Sequence, residues 1–213
     1  MFILRALARV LIVGVAAVTL GGAFLVTATA AAEPDVTEAS RFIQDLGDKA
    51  IRILRQPEQS LADREAALRD LLREGFALPL IARFSLGRHW RRATQDQRSD
   101  YQHLFGEYIL KTYAKRLGGY SGESLSVVRT VPAGKRDIIV DTRIDRPSGP
   151  SLVAGWRVRM IGTELKIIDI VVGGVSMALT QRQEFDSVVK SRGLTGLLEA
   201  LRARTDELSA TAG

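Results

Sequence analysis

The chain has 213 residues, is 46% hydrophobic and 25% charged, and carries a net charge of +6. These are the proportions of an ordinary globular domain and exclude a wholly disordered or collagen-like chain. It has no cysteine, which removes disulfides, thiolate metal sites, cysteine nucleophiles and an acylated-cysteine anchor from consideration.

Residues 1–32 form a segment of their own. Arg5 and Arg9 lie in a start without acids, Val10 to Val26 is uncharged and mostly apolar, and Ala28-Thr29-Ala30-Ala31-Ala32 supplies small residues before Glu33-Pro34. These are the three parts of a secretory signal peptide; an uncleaved anchor of about 20 apolar residues is the alternative. Cleavage removes two arginines and no acid, lowering the net charge from +6 to +4. Export argues against a nucleic-acid partner and leaves anionic membrane surfaces or acidic proteins for a mildly basic chain.

From residue 35 to 55, Val36, Ala39, Phe42, Ile43, Leu46, Ala50, Ile53 and Leu54 recur at helical spacing and predict a helix that Gln56-Pro57 ends. Ser60 with Asp63 is a capping-box variant opening a second helix to about Glu74, with Leu61, Leu68, Leu71 and Leu72 as its stripe. Phe76, Leu78, Leu80, Ile81 and Phe84 crowd around Pro79 and predict a brief buried helix. Thr94 with Gln97 caps a third long helix, which Gly118-Gly119 closes. Its apolar face includes Tyr101, Tyr108 and Tyr113, whose amphipathic rings suit either a cavity rim or a core with hydroxyls reaching outward.

From Ser121 the pattern changes. Four β-branched runs, Leu125 to Val131, Ile138 to Ile144, Leu152 to Ile161 and Leu165 to Val172, are separated by Pro/Gly turns and predict an antiparallel sheet of four strands. In the third run Leu152, Ala154, Trp156, Val158 and Met160 share one face while Arg157 and Arg159 share the wet one. Helix returns from Ser176 to about Lys190, breaks at Ser191-Arg192-Gly193, and ends with Leu194, Leu197, Leu198 and Leu201. Residues 33–206 are thus expected as one α+β domain, with 207–213 a flexible tail.

No catalytic residue, metal site or cofactor is expected. Gly174-Val175-Ser176-Met177-Ala178 imitates a nucleophile elbow, but both histidines, His89 and His103, precede the serine, against the order of that fold. Ser176 reads more simply as a helix N-cap. Arg88-His89-Trp90-Arg91-Arg92 reads either as a solvated loop or as a surface for docking or a lipid phosphate. Asp169 among isoleucines needs a partner, for which Arg182 and Lys166 are the candidates. The helices offer more apolar face than a small sheet needs, consistent with a ligand cavity.

Leu86-Gly87-Arg88-His89-Trp90, the helix from Tyr101 to Tyr120, Trp156, and the run from Lys166 through Gly174-Val175-Ser176-Met177 to Arg182 and Phe185 resemble the MlaC-like periplasmic phospholipid-binding proteins, also called toluene-tolerance auxiliary proteins. The resemblance covers nearly all of residues 36 to 204; Gly173 departs from it, standing where an acid is expected. It implies an antiparallel sheet and helices enclosing an apolar lipid pocket. It also implies a soluble periplasmic carrier that moves phospholipid between an outer-membrane lipoprotein complex and an inner-membrane ABC transporter with an MCE-domain subunit, and so supports outer-membrane lipid asymmetry; a shuttle between two membranes is expected as a monomer. A hopanoid is the alternative cargo, and a protein-binding adaptor the alternative role. The pocket lining expected from the inward faces is Phe42, Leu46, Phe76, Leu80, Ile81, Leu104, Tyr108 and Ile109 from helices, with Trp156, Val158, Ile168 and Ile170 from the sheet.

Overall fold

The computed structural model describes residues 35–56, 58–117 and 122–210. The expected signal peptide, the Gly118-Gly119 stop and the last three residues lie outside them. Helix α1 (Val36–Leu54) begins where the Asp35 carboxylate accepts from the Thr37 N–H at 2.9 Å. Helix α2 (Leu61–Gly75) begins where Ser60 Oγ accepts from the Asp63 N–H at 3.1 Å. Helix α3 (Leu78–Leu86) carries Pro79 in its first turn, where a missing N–H costs nothing, and runs on into a 3-10 turn, Gly87–Arg91. The capping box of α4 (Gln95–Leu117) is reciprocal: Gln97 N–H donates to Thr94 Oγ1 at 3.2 Å and Thr94 N–H to Gln97 Oε1 at 3.0 Å.

The sheet is antiparallel throughout, in the order β1 (Ser124–Ala133), β2 (Asp137–Asp145), β3 (Leu152–Ile161), β4 (Glu164–Val172) and β5 (Val175–Ser176). The two-residue β5 adds a fifth strand to the four expected. Gly173 and Gly174 have φ of 59° and 79°, the left-handed pair that a tight two-residue hairpin requires, so Val175 pairs back onto Val172. The last helix, α5 (Met177–Ala210), is interrupted at Gly193, with φ 71° and ψ 176°, where the break was expected. Beyond it the helix outlasts the expected tail boundary at residue 207. Leu201, Thr205 and Leu208 are buried at helical spacing and hold it down as far as Ala210.

Three packed clusters organise the described residues, the smallest being Leu54, Leu68 and Ala114 between α1, α2 and α4. Tyr101, Phe105 and Phe185 bring α3, α4 and α5 together, Phe185 standing edge-on to both rings at 6.1 and 6.2 Å. Ala39 and Ile43 of α1 pack on Ile138, Val140, Val158, Leu165 and Ile167 of the sheet. Gln44 fixes α1 to the sheet edge: its Oε1 accepts from Val127 N–H at 3.3 Å and its Nε2 donates to Leu125 O at 3.4 Å. Those edge groups would otherwise be open to pairing with another chain. The opposite sheet face is polar, and there Arg157 and Arg159 close over Asp137 at 3.0 and 2.6 Å.

Candidate functional site

Between the sheet and the helices lie two apolar chambers. The larger, of about 390 Å³, is walled by Leu46, Gly47, Ala50, Ile51 and Leu54 of α1, by Leu68, Leu71 and Leu72 of α2, and by Leu125, Ile144, Leu152 and Trp156 of the sheet. The smaller, of about 140 Å³, is walled by Leu78, Ile81 and Ser85 of α3, by Phe105, Ile109, Leu110 and Tyr113 of α4, by Asp169 and Ile170, and by Met177, Ala178 and Gln181 of α5. Leu72, Phe76 and Trp156 line both and divide them. Ser124, Arg146 and Leu152 of the larger chamber are exposed, whereas no wall residue of the smaller one is. The first, whose rim is exposed, is here the outer chamber, and the second, whose walls are buried or half-buried, the inner one.

The dividing residues are held from behind. Trp156 Nε1–H donates to Thr142 Oγ1 at 2.8 Å, and Thr142 is fully buried, so the indole has a fixed edge and a free face. Phe76 sits where α2 ends; the next N–H, that of Ala77, donates to Ile167 O at 2.9 Å and pins the chain to β4.

Of the residues expected to line a pocket, Leu46, Phe76, Ile81, Ile109, Trp156 and Ile170 do so. Phe42 and Val158 lie in the cluster between α1 and the sheet, and Leu104 and Tyr108 in the α3–α4–α5 cluster. Leu80 does not face inward. Leu78, Ile81 and Ser85 take the inner face of α3, which turns Leu80 and Phe84 to solvent and makes this helix less buried than expected. Ile168 lies in neither wall. β4 bulges there, Arg157 pairing with Asp169 and Val158 with Ile167, so the inward parity changes from Leu165 and Ile167 to Ile170. The leucines of α2 and the start of α5 were overlooked as walls, although the stripe Leu68, Leu71 and Leu72 is visible in the sequence.

Three further expectations need correction or completion. Asp169 pairs with neither Arg182 nor Lys166: its carboxylate accepts from Ser176 Oγ at 2.6 Å, from Ile170 N–H at 2.8 Å and from Ala178 N–H at 3.0 Å. The Gly173-Gly174 reversal brings the start of α5 against β4, where backbone donors and the helix dipole satisfy an anion. Lys166 instead donates to Glu74 O at 2.7 Å, and Arg182 lies 5.1 Å from the Phe84 ring. Ser176 Oγ, bound to Asp169, also accepts from Leu179 N–H at 3.0 Å and is the N-cap expected of it. Tyr101 is core, its hydroxyl donating to Ala82 O at 3.1 Å, and burial pushes its phenol far above the usual range.

The basic run 88–92 is neither a loose loop nor part of the chamber walls. Arg88 and His89 both meet Asp186 of α5, at 2.7 and 2.8 Å, and the guanidinium groups of Arg83 and Arg98 lie 5.9 and 5.5 Å from the Trp90 ring. Hydrogen bonds from Lys190, His89 and Arg88 hold the Asp186 carboxyl well below the usual carboxylate range.

A family model described as MlaC protein matches residues 44–203. The chain belongs to the MlaC family. One similar relative, the intermembrane phospholipid transport system binding protein MlaC of Haemophilus influenzae, is 24% identical over 188 residues, 84% of this chain and 86% of its own. A solved structure of the phospholipid-binding protein from Ralstonia solanacearum, in complex with a phospholipid, matches with a TM-score of 0.71 at 21% identity, over 80% of this chain and 98% of its own. That likeness carries the fold, an α+β domain with its antiparallel sheet. Against the MlaC pattern expected from the sequence, Gly173 occupies a turn position with positive φ, which glycine takes without the strain an acid would meet.

Proposed function

We propose that this protein is a lipid carrier, holding the acyl chains of a phospholipid in the two chambers with the head group at the exposed rim. The observation that carries the reading is the pair of chambers itself: nearly continuous hydrocarbon walls with one polar, exposed rim. A cavity of roughly 150 Å³ takes one benzene, about six carbons. By that measure the outer chamber holds about fifteen carbons of chain and the inner one about six, close to one acyl chain with room for part of another. Two chambers divided by three side chains suit flexible chains better than the fused rings of a hopanoid.

The energetics ask for no bond-making. The roughly 21 carbons that the two chambers hold represent ~17 kcal/mol of transfer from water at ~0.8 kcal/mol each, close to the ~18 to 21 kcal/mol at which affinities saturate. The relevant exchange is between one apolar environment and another, which is nearly balanced. A carrier therefore needs a docking partner that shields the chains during handover. In this reading the signal peptide directs the chain to the periplasm. There it works as a monomer between an outer-membrane lipoprotein complex and an inner-membrane ABC transporter bearing an MCE-domain subunit. Family membership and the name of the Haemophilus relative support the intermembrane role. The test is transfer of a labelled phospholipid between donor and acceptor vesicles. The rate should rise in proportion to protein concentration; transfer no faster than the spontaneous exchange contradicts the carrier.

A further inference from the structure

Among the described residues that wall the two chambers, Arg146 is the one lysine or arginine, and it stands on the exposed rim of the outer chamber beside Ser124 and Leu152. It follows directly on β2, in the turn between β2 and β3. Pro147 and Pro150 stiffen that turn, and Gly149 adopts a φ of 94°. Its Nε donates to Pro150 O at 2.9 Å, and its Nη2 donates to the same oxygen. The side chain is therefore tied down at its own turn rather than free to sweep the surface.

That tether is neutral. No described carboxylate forms an ion pair with Arg146, whereas the neighbouring Arg143 and Asp145 meet each other at 3.2 Å and Glu123, the other charged wall residue of this chamber, already has a partner. A guanidinium has five N–H donors, of which the Pro150 oxygen takes two. What remains is a fixed positive charge with a free donor edge at the end of a hydrocarbon channel. The planar fork of arginine matches two phosphate oxygens, which a lysine meets only as a point charge. A glycerolipid whose chains lie in the outer chamber brings its polar linkage out at this rim.

We infer that Arg146 binds the phosphodiester of the carried lipid and is the residue that distinguishes a phospholipid from a neutral lipid with the same chains. This rests on the carrier reading and adds a specificity-determining residue to it.

The test compares two probes with identical chains, one labelled in each case, a phosphatidylglycerol and a diacylglycerol, both presented in phosphatidylcholine vesicles to wild-type protein, Arg146→Gln and Arg146→Lys. The quantity read is the ratio of the two affinities within each variant, so that differences in how the probes partition into the vesicle cancel. Arg146→Gln should lower the ratio about fivefold, as expected for one exposed charge contact. Arg146→Lys should fall between, and the wild-type preference should shrink as salt rises. An unchanged ratio in Arg146→Gln overturns the inference, as does equal weakening of both probes, which would give Arg146 a merely structural role in its turn. If wild-type protein binds neither probe, the carrier reading itself fails and this inference with it; binding of both with an unchanged ratio sinks the inference alone.

Discussion

Removing the Asp169 carboxylate tests how the chamber floor is joined to α5. In Asp169→Ala the buried Ala178 N–H loses its acceptor, an orphaned donor worth about 1–3 kcal/mol. The start of α5 also loses a negative charge, worth about 0.3–1 kcal/mol. Ser176 Oγ keeps its bond to Leu179 N–H and adds little to the loss. The expected destabilisation is therefore about 1–4 kcal/mol, read by urea denaturation followed by far-ultraviolet circular dichroism, with the slope unchanged. Asp169→Asn keeps one acceptor oxygen and should cost about half as much. Lys166→Ala and Arg182→Ala remove groups that do not touch the carboxylate and should each cost below about 1 kcal/mol. The reasoning fails if Asp169→Ala lies within about 0.5 kcal/mol of wild type, or if either cation variant costs as much as the aspartate variant.

Other consequences can be measured with the same material. Ala50→Phe puts a ring into the outer chamber, so the variant should stay folded, by thermal denaturation, while taking up less phospholipid from vesicles; undiminished uptake would place the chains elsewhere. Burial alone would raise the Asp137 carboxyl, but hydrogen bonds and charge from Arg159 and Arg157 outweigh it and hold the group below its usual value. A depressed carboxyl contributes stability that is complete above the unfolded value near 3.9 and is lost as pH falls through the lower folded value. Asp137→Asn should therefore be less stable than wild type at neutral pH and show a shallower loss below about pH 4 in an acid titration of stability. A difference that does not narrow in acid would rule out the ionised carboxylate as the source. Gly193 holds φ 71° and ψ 176° with open space around the missing Cβ, so the cost of Gly193→Ala is backbone strain alone, about 1–3 kcal/mol; a neutral result would mean that α5 can run straight through.

The elements that were legible in the sequence are those whose cause is local. Thr94 with Gln97 and Ser60 with Asp63 act within one helical turn, and the glycines at 134, 149 and 162, all with positive φ, mark the hairpins between consecutive strands. The apolar alternation of β3 named its inward face correctly, because no bulge interrupts its pairing with β2. What escaped the sequence depends on partners far along the chain. The bulge at Ile168 has no glycine to announce it, yet it decides whether Ile168 or Ile170 meets Trp156. Asp169 finds its donors only because two glycines reverse the chain, and the end of α5, where Thr205 and Leu208 are buried, is met by α4, whose Lys111 donates to Ser209 Oγ at 2.9 Å. The chamber walls were half legible for the same reason: Leu46 and Ile109 sit on apolar stripes, but a stripe does not say which of its members packs into the core and which stands at a cavity.

The central claim is that lipid chains occupy the two chambers. Native mass spectrometry of the protein purified without detergent, combined with organic extraction of what accompanies it, tests this most directly. The account predicts a complex heavier than the chain by one diacyl phospholipid, recovered in the extract. Protein of bare mass that also takes up no lipid from vesicles would contradict it, and would leave the apolar faces as ordinary core.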